Sequence, residues 1–334
     1  MRFDRKTIII LAVNVLLLAA FAVSIACCAH YADLLPAQQV AERWQGVSEV
    51  RFAQVTAFRP VGKELTQNDV LQFRESAKAA LTDAAFDLDE GMTLFLDAYS
   101  ARSFRTVTGR RGAIEATAYA VGGDFFTFHP LNLVSGSYIK ESDFARDGIV
   151  VTRELAWALF GAVDVTGLSV TIGDASYMIV GVVDTEDDAA SKAANAGGLC
   201  FYAHSDAFYA PSDKFIDCYE AVIADPISDF AVDVVEQKLP KDGEIVENSA
   251  RFRADRVVKL ITEYGRRSMN VSAVVFPYWE NAARYAEDHM ALWMAAAAVT
   301  ALFPLVCMGI IIVRAVRGVK AQGKRVAKRL RDRY

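Results

Sequence analysis

Two long stretches without charged residues dominate the hydropathy pattern of this chain. Residues 7–29 and residues 290–313 contain no Asp, Glu, Lys or Arg, which makes runs of 23 and 24 residues. A helix needs about 20 apolar residues to cross the hydrocarbon core of a bilayer. We therefore predict two transmembrane helices that flank a large central segment.

The central segment, residues 30–289, alternates strand-like and helix-like patterns. Clusters and alternations of β-branched and aromatic residues predict strands at residues 49–59, 93–108, 113–121, 148–152, 168–172, 177–183 and 219–224. Helical spacing of apolar residues predicts helices at residues 37–44, 66–81, 153–160, 228–239 and 249–264. This order is typical of an α+β domain with a mixed sheet and helices, built as one large core or two lobes.

Local signals set several of these boundaries. Thr66 followed by Asp69 resembles a helix N-cap with an acidic first turn. The stripe that follows it predicts a buried helix face made of Val70, Leu71, Phe73, Ala77 and Leu81. Hairpins are expected between residues 93–108 and 113–121 and between residues 168–172 and 177–183. Residues 184–198 are small, polar and acidic, which predicts an exposed and mobile loop.

Charge is distributed unevenly around the two apolar runs. Three basic residues against one acid precede the first run, and nine against one follow the second. The central segment carries 24 basic and 39 acidic residues, a net charge of −15. Because basic residues stay on the cytoplasmic side, both termini are predicted to be cytoplasmic and the central domain extracytoplasmic, in a bacterial cell membrane.

This orientation divides the chain into five parts. They are a cytoplasmic N-terminus at residues 1–6, a first transmembrane helix at 7–29, the extracytoplasmic domain at 30–289, a second transmembrane helix at 290–313 and a basic cytoplasmic tail at 314–334. Two alternatives for the first run remain open, a cleaved signal peptide and a lipoprotein signal that ends at Cys27 or Cys28. We favour the uncleaved anchor because a signal core has about 7–15 residues and neither cysteine follows a good lipobox.

The chain offers little that would support catalysis. No Walker A sequence and no Gly-x-Ser-x-Gly motif is present, and the four histidines are scattered. The overall net charge of −5 argues against a general nucleic-acid binder. We therefore expect no enzymatic activity, no cofactor, no metal site and no nucleic-acid partner.

Two cysteines lie 18 residues apart in the predicted extracytoplasmic domain. In an oxidising compartment Cys200 and Cys218 would be able to form a disulfide. The alternative is a pair of buried free thiols. Spacing alone leaves both open.

The apolar runs contain residues suited to helix packing. Asn14 is a polar side chain that should face another helix rather than lipid. In the second run Ala291, Ala295 and Ala298 permit close approach, and Pro304 is expected to kink the helix. Two interpretations remain open, packing of the two spans against each other and packing against another membrane subunit.

The basic tail after residue 313 has a helical pattern. Its nine Lys and Arg residues predict contact with anionic lipid head groups. Contact with a cytoplasmic protein partner is the alternative.

Six successive segments between residues 118 and 183 resemble the MacB-like periplasmic core domain of FtsX-like permeases in ABC transport systems. They are YAVGGDFF at 119–126, LVSGSYI at 133–139 with Asp143 after it, GIVVTRELA at 148–156, LFG at 159–161, GLSVTI at 167–172 and YMIVGVV at 177–183. Residues 276–284 also look like the stretch that precedes the second span in such proteins. The resemblance brings no active-site residue. It implies a domain outside the membrane that couples ATP-driven motion inside to a substrate or partner outside.

The resemblance also implies partners. Permeases of this family have four spans, whereas this sequence shows two apolar runs and no ATPase motif. We therefore expect a truncated, non-catalytic permease-like or accessory subunit that works with a separate ABC ATPase and a multi-span permease. The second hypothesis is a membrane-anchored binding or regulatory module for an envelope protein or a cell-wall enzyme.

Overall fold

The computed structural model contains a mixed sheet whose strands lie, in sequence order, between two long apolar helices. It describes residues 4–84, 93–194, 198–263 and 274–331. The helices are α1 (Arg5–Asp33), α2 (Val40–Gln45), α3 (Gln67–Asp83), α4 (Phe125–Phe128), α5 (Arg153–Phe160), α6 (Ala189–Ala193), α7 (Phe230–Lys238), α8 (Ala254–Glu263) and α9 (Tyr278–Arg331). The strands are β1 (Phe52–Phe58), β2 (Phe95–Gly109), β3 (Gly112–Gly123), β4 (Leu133–Gly136), β5 (Gly148–Thr152), β6 (Ser169–Ile172), β7 (Ala175–Val183), β8 (Cys200–His204), β9 (Cys218–Ala224) and β10 (Glu244–Glu247). The predicted α+β class is confirmed.

All ten strands belong to one sheet, in the order β10-β1-β9-β2-β3-β8-β5-β7-β4. Strand β6 pairs with both β2 and β7, so β2, β3, β8, β5, β7 and β6 form a closed ring. The pairs β3–β8 and β5–β7 are parallel, and the other pairs are antiparallel. We call the ring with helix α5 the closed half. Strands β10, β1 and β9, the start of β2, and helices α3 and α7 form the open half.

The interior of the closed half is aliphatic and aromatic. Ile149, Ile179 and Phe201 are fully buried inside the ring, together with Leu155 and Leu159 of α5. Helix α5 matches its predicted range, with Thr152 as N-cap and Gly161 in the left-handed region at φ 71° after its last residue. The core of this half is therefore built from its own strands and one helix.

The open half is covered on both faces. Every residue of β1 is buried, because α3 and α7 pack on one face while α2, α4 and the start of α9 pack on the other. The predicted cap of α3 is present as a full capping box between Thr66 and Asp69. Leu71 is the exception in its predicted stripe and is 54% exposed, because it lies about 100° around the helix from Val70.

Two predictions, one of a loop and one of a helix, need correction. Residues 184–198 were expected to form an exposed mobile loop, but they contain α6, whose N-cap Asp188 accepts hydrogen bonds from the amides of Ala190 and Ser191. Ala190 is fully buried against α9, since its small side chain permits close packing. The helix predicted at residues 37–44 is divided into a 3₁₀ turn at Pro36–Gln38 and helix α2.

Helices α1 and α9 pair along their apolar lengths. Both are long and apolar enough to cross a membrane. The least exposed positions of α1 recur at alternating steps of three and four residues, the spacing of a coiled-coil seam, at Asn14, Leu17, Phe21, Ser24, Cys28 and Tyr31. Large apolar side chains on the remaining surface point outward, among them Leu16 at 70% exposure.

Candidate functional site

The first turn of α9 is buried where the open half meets the outer surface of the ring. The Trp279 ring lies 5.7 Å from Tyr119, 5.9 Å from Phe125 and 4.3 Å from His129, centroid to centroid. Beneath it, His129 Nε2 is 2.6 Å from the Glu220 carboxylate on β9. The helix that carries the second apolar run therefore begins as part of the folded domain, without an intervening linker.

The connection from α1 is tied to the same place by two buried glutamines. Gln54 of β1 accepts a hydrogen bond from the Val40 amide at 3.0 Å and donates one to the Ala37 carbonyl at 2.7 Å. Gln38 donates to the Trp279 carbonyl at 3.2 Å. Gln54 therefore fixes the connection from α1 to β1, and Gln38 joins the same connection to the start of α9.

A set of buried and half-buried charged residues surrounds the first turns of α9, and we call it the junction cluster. Its members are Glu244 of β10, Arg251 before α8, and Glu280, Arg284 and Glu287 of α9. The Arg251 guanidinium lies 2.6 and 2.9 Å from the two carboxylate oxygens of Glu280, and 2.8 and 3.3 Å from those of Glu287. The Arg284 guanidinium pairs with Glu280 at 2.6 Å and also with Glu244.

Burial makes these interactions energetically demanding. The side chains of Arg251, Glu280 and Glu287 are 4%, 1% and 9% exposed. Burial opposes the charge of Arg251, but the carboxylates of Glu280 and Glu287 outweigh it and raise the pKa of the guanidinium above its ordinary value. Arg251 also donates to Asn248, which in turn donates to Thr56 of β1. The junction cluster therefore connects α9 to the sheet through paired, hydrogen-bonded charges.

Small residues bring α9 close to the rest of the domain on another face. Ala282, Ala283 and Ala286 are buried against Leu35 and Ala190. This contact places the end of α1 and helix α6 directly against α9. Movement of α9 along or across this face displaces both neighbours, because packed interiors have little free space.

The residues predicted to pack in the apolar runs differ in their contacts and in how far they are buried. Asn14 faces the second helix, and its amide donates to the Cys307 sulfur at 3.5 Å. Ala291 is buried and Ala295 is half-buried, whereas Ala298 is exposed. Pro304 is half-buried within an uninterrupted α9. Packing between the two helices of this chain therefore involves Asn14 and Ala291, and it leaves Ala298 outside.

The structure distinguishes between the two alternatives for Cys200 and Cys218. Cys200 and Cys218 are both buried free thiols, as in the alternative left open above. Cys200 lies on β8 and Cys218 on β9, and strands β2 and β3 separate them in the sheet. Neighbouring strands are about 4.8 Å apart, so three strand spacings far exceed the Cα separation that a disulfide tolerates.

Sequence reasoning missed the junction cluster. Glu280, Arg284 and Glu287 share a helix face at i, i+4 and i+7, immediately before an apolar run, and this spacing was available as a signal. Their partners Glu244 and Arg251 lie 29–40 residues away and were not predictable from spacing. Within the described ranges, no group of three or more His, Cys, Asp or Glu side chains is arranged to hold a metal ion.

Residues 39–238 match the family described as the MacB-like periplasmic core domain, which is well over half of the chain. The chain belongs to the MacB-like periplasmic core domain family. The match contains every segment between residues 118 and 183 that carried the resemblance in the sequence. It begins just before α2 and ends with α7.

Two solved structures are similar to the chain at low identity. The periplasmic region of MacB from Actinobacillus actinomycetemcomitans is 14% identical, with a TM-score of 0.43, covering 70% of this chain and 100% of that one. The extracellular domain of the noncanonic ABC-type transporter YknZ from Gram-positive bacteria is 14% identical, with a TM-score of 0.38, covering 56% and 90%. No curated protein matches the sequence.

The junction cluster lies outside the part of the chain that matches the MacB-like family. Its residues fall between Glu244 and Glu287, after the match ends at residue 238. The MacB-like core thus supplies strands β1 to β9, and the segment beyond it supplies β10 and the charged attachment to α9.

Proposed function

We propose that this chain is a permease-like or accessory membrane subunit of an ABC-type transport or mechanotransmission complex. The observation that carries the proposal is the continuity of α9, a single helix of 54 residues that starts inside the open half and includes the whole second apolar run. The proposed role is to carry motion between the two sides of the membrane.

The dimensions of α9 suit this role. At about 1.5 Å per residue, its 54 residues extend roughly 80 Å, well beyond the hydrocarbon thickness of about 30 Å. The upper end is held by Trp279 and the junction cluster, so a tilt or shift applied at the other end reaches the sheet with little loss. Helix α1 follows the motion because it packs along α9.

The orientation and the partners are part of the proposal. Both termini lie in the cytoplasm of a bacterial cell and the MacB-like domain lies outside, in accordance with the basic residues that flank the two apolar runs. A separate ABC ATPase and a multi-span permease supply the energy and the pathway. The basic tail contacts anionic lipid or, as the alternative, one of these proteins. No residue of this chain carries covalent chemistry.

The test is a mild-detergent pull-down of the tagged full chain from its native membrane, followed by mass spectrometry. A tagged two-span protein of unrelated fold, at matched expression, serves as the control. Recovery of an ABC ATPase and a multi-span permease at near-stoichiometric amounts supports the proposal. Recovery of the chain alone, or with envelope proteins only, contradicts it and supports the membrane-anchored binding module.

A further inference from the structure

Helix α8 has one apolar side and one charged side. Successive residues of a helix are separated by about 100°, so its apolar side chains occupy an arc roughly 160° wide. The apolar arc contains Val257, Val258, Leu260 and Ile261, and the opposite side contains Asp255, Arg256 and Lys259. This division is typical of a helix that lies at a boundary between an apolar and an aqueous phase.

The position of α8 along the two long helices defines where that boundary is. Val257 is fully buried in a small cluster with Cys28 of α1 and Met290 of α9. Cys28 lies in the last turn of the first uncharged run, and Met290 is the first residue of the second. Helix α8 therefore lies at the level where both apolar runs end, on the side of the folded domain.

Aromatic residues occur at the same level. Tyr31 and Trp293 pack against the cluster that contains Val257. Tyr and Trp are enriched where a membrane protein passes from hydrocarbon to head groups, because their rings are apolar with one polar atom. The surroundings of α8 are thus those of a membrane–water interface.

Only part of the apolar arc is covered by protein. Val258 is 50% exposed and Ile261 is 40% exposed. Their exposed surface lies at the level where the outward-facing side chains Ile25 of α1 and Leu292 of α9 are also exposed, at 40% and 61%. Arg256 and Lys259, on the opposite side, are exposed, and Arg256 pairs with Glu247 at 3.1 Å.

We propose that α8 is an interfacial helix that inserts Val258 and Ile261 among the lipids of the outer leaflet, with its charged side at the head groups. The proposal rests on the membrane-spanning arrangement of α1 and α9, and it does not depend on the transport role. Because α8 begins three residues after Arg251, the inserted helix also holds the junction cluster at a fixed height above the bilayer.

The test uses the full chain in nanodiscs of phosphatidylcholine and phosphatidylglycerol, either unmodified or brominated near the top of the acyl chains. Tryptophan is introduced by Ile261→Trp, and the matched control is Lys259→Trp on the charged side of the same helix. Quenching by brominated lipid is measured as the difference from the unmodified chain. We expect the added Ile261→Trp emission to fall about twofold, as for a side chain buried at the acyl boundary, and the Lys259→Trp emission to change little.

Two results would overturn the proposal. Equal quenching of both variants means that α8 has no lipid-facing side. Unquenched, blue-shifted emission from Ile261→Trp means that another protein surface covers the helix. Native Trp293 reports insertion separately, because its quenching in the unmodified chain shows that the second span lies in the bilayer. If brominated lipid quenches Trp293 but not Ile261→Trp, α8 is not an interfacial helix. The membrane-spanning arrangement of the long helices is then still supported.

Discussion

The two halves of the outer domain solve the problem of burial in different ways. The closed half fills a ring of strands with its own side chains, such as Ile149, Leu159 and Phe201. The open half shares its core with the outer surface of β3 and β8, and Tyr278 and Trp279 of α9 pack in that shared core. This core also contains buried polar groups, among them the hydrogen-bonded pair of His129 and Glu220.

This difference indicates where a displacement of α9 would change the packing of the domain. A ring without open edges is complete in itself, and neither Tyr278 nor Trp279 belongs to its core. The open half is complete only with α9 in place, so a displacement of α9 changes its packing and its buried ion pairs together. We therefore expect the interior of the closed half, which contains no side chain of α9 among the described residues, to keep its packing when α9 is displaced.

The strongest test of the comparison removes the contribution of α9 to the open half. Trp279→Ala should lower the free energy of unfolding by about 3–5 kcal/mol, since it leaves a cavity among buried rings. The matched control is Trp157→Ala on α5 of the closed half, where the side chain is 58% exposed. Denaturant unfolding of the full chain in detergent, followed by circular dichroism, measures both. Similar losses in the two variants would contradict the distinction between the halves.

The next test breaks the junction cluster. Arg251→Met leaves Glu280 and Glu287 buried without their shared cation. We expect a loss of about 3 kcal/mol, at the lower end for broken buried ion pairs because Arg284 still pairs with Glu280. The control Arg253→Met removes an exposed partner of Asp255 and should change the unfolding midpoint little. Retention of full stability by Arg251→Met would show that the cluster does not fix α9.

A smaller effect is expected from the helix that covers the outer face of the open half. Thr66→Ala removes one side of the capping box of α3 and should cost about 1 kcal/mol. Thr82→Ala, near the end of the same helix, removes only an exposed hydroxyl that donates to the Lys78 carbonyl. The measurement is the unfolding midpoint of each variant, and a lower midpoint for Thr66→Ala than for Thr82→Ala would support the contribution of the cap. Equal midpoints would mean that the cap contributes nothing.

The smallest effect concerns pH. Burial raises the pKa of Asp217, beside β9, to about 7, although its carboxylate accepts a hydrogen bond from the Arg102 amide. Between about pH 4 and pH 7 the folded state holds a proton that the unfolded state has released, so stability falls as pH rises. Asp217→Asn should remove this slope, a difference below about 1 kcal/mol between pH 6.5 and pH 8. The exposed Asp174→Asn should leave the slope unchanged, and an unaltered slope in Asp217→Asn would contradict the assignment.

Much of the fold was predictable from local patterns in the sequence. Three predicted features depend on residues that are near each other in the chain, and all three are present. They are the capping box at Thr66, the helix that ends before Gly161 and the hairpin of β2 and β3. Short-range signals of this kind specify elements independently of the rest of the molecule.

What depended on distant contacts was not predictable. Closure of the ring requires β6 to pair with β2, about 60 residues earlier, and no local pattern encodes that register. The state of Cys200 and Cys218 was left open for the same reason, because sequence spacing gives no information about the strands placed between them. Helix α6 was overlooked because its small residues are buried only by α9.

The unbroken course of α9 also fixes rotation. Removing one residue between Trp279 and the tail would turn everything beyond it by about 100° and draw it in by about 1.5 Å. Removing seven would restore the angle to within about 20° while shortening the helix by roughly 10 Å. The number of residues in α9 therefore sets the rotation angle between the folded domain and the basic tail. Length variants of this helix distinguish a role that depends on rotation about the helix axis from one that depends on the distance along it.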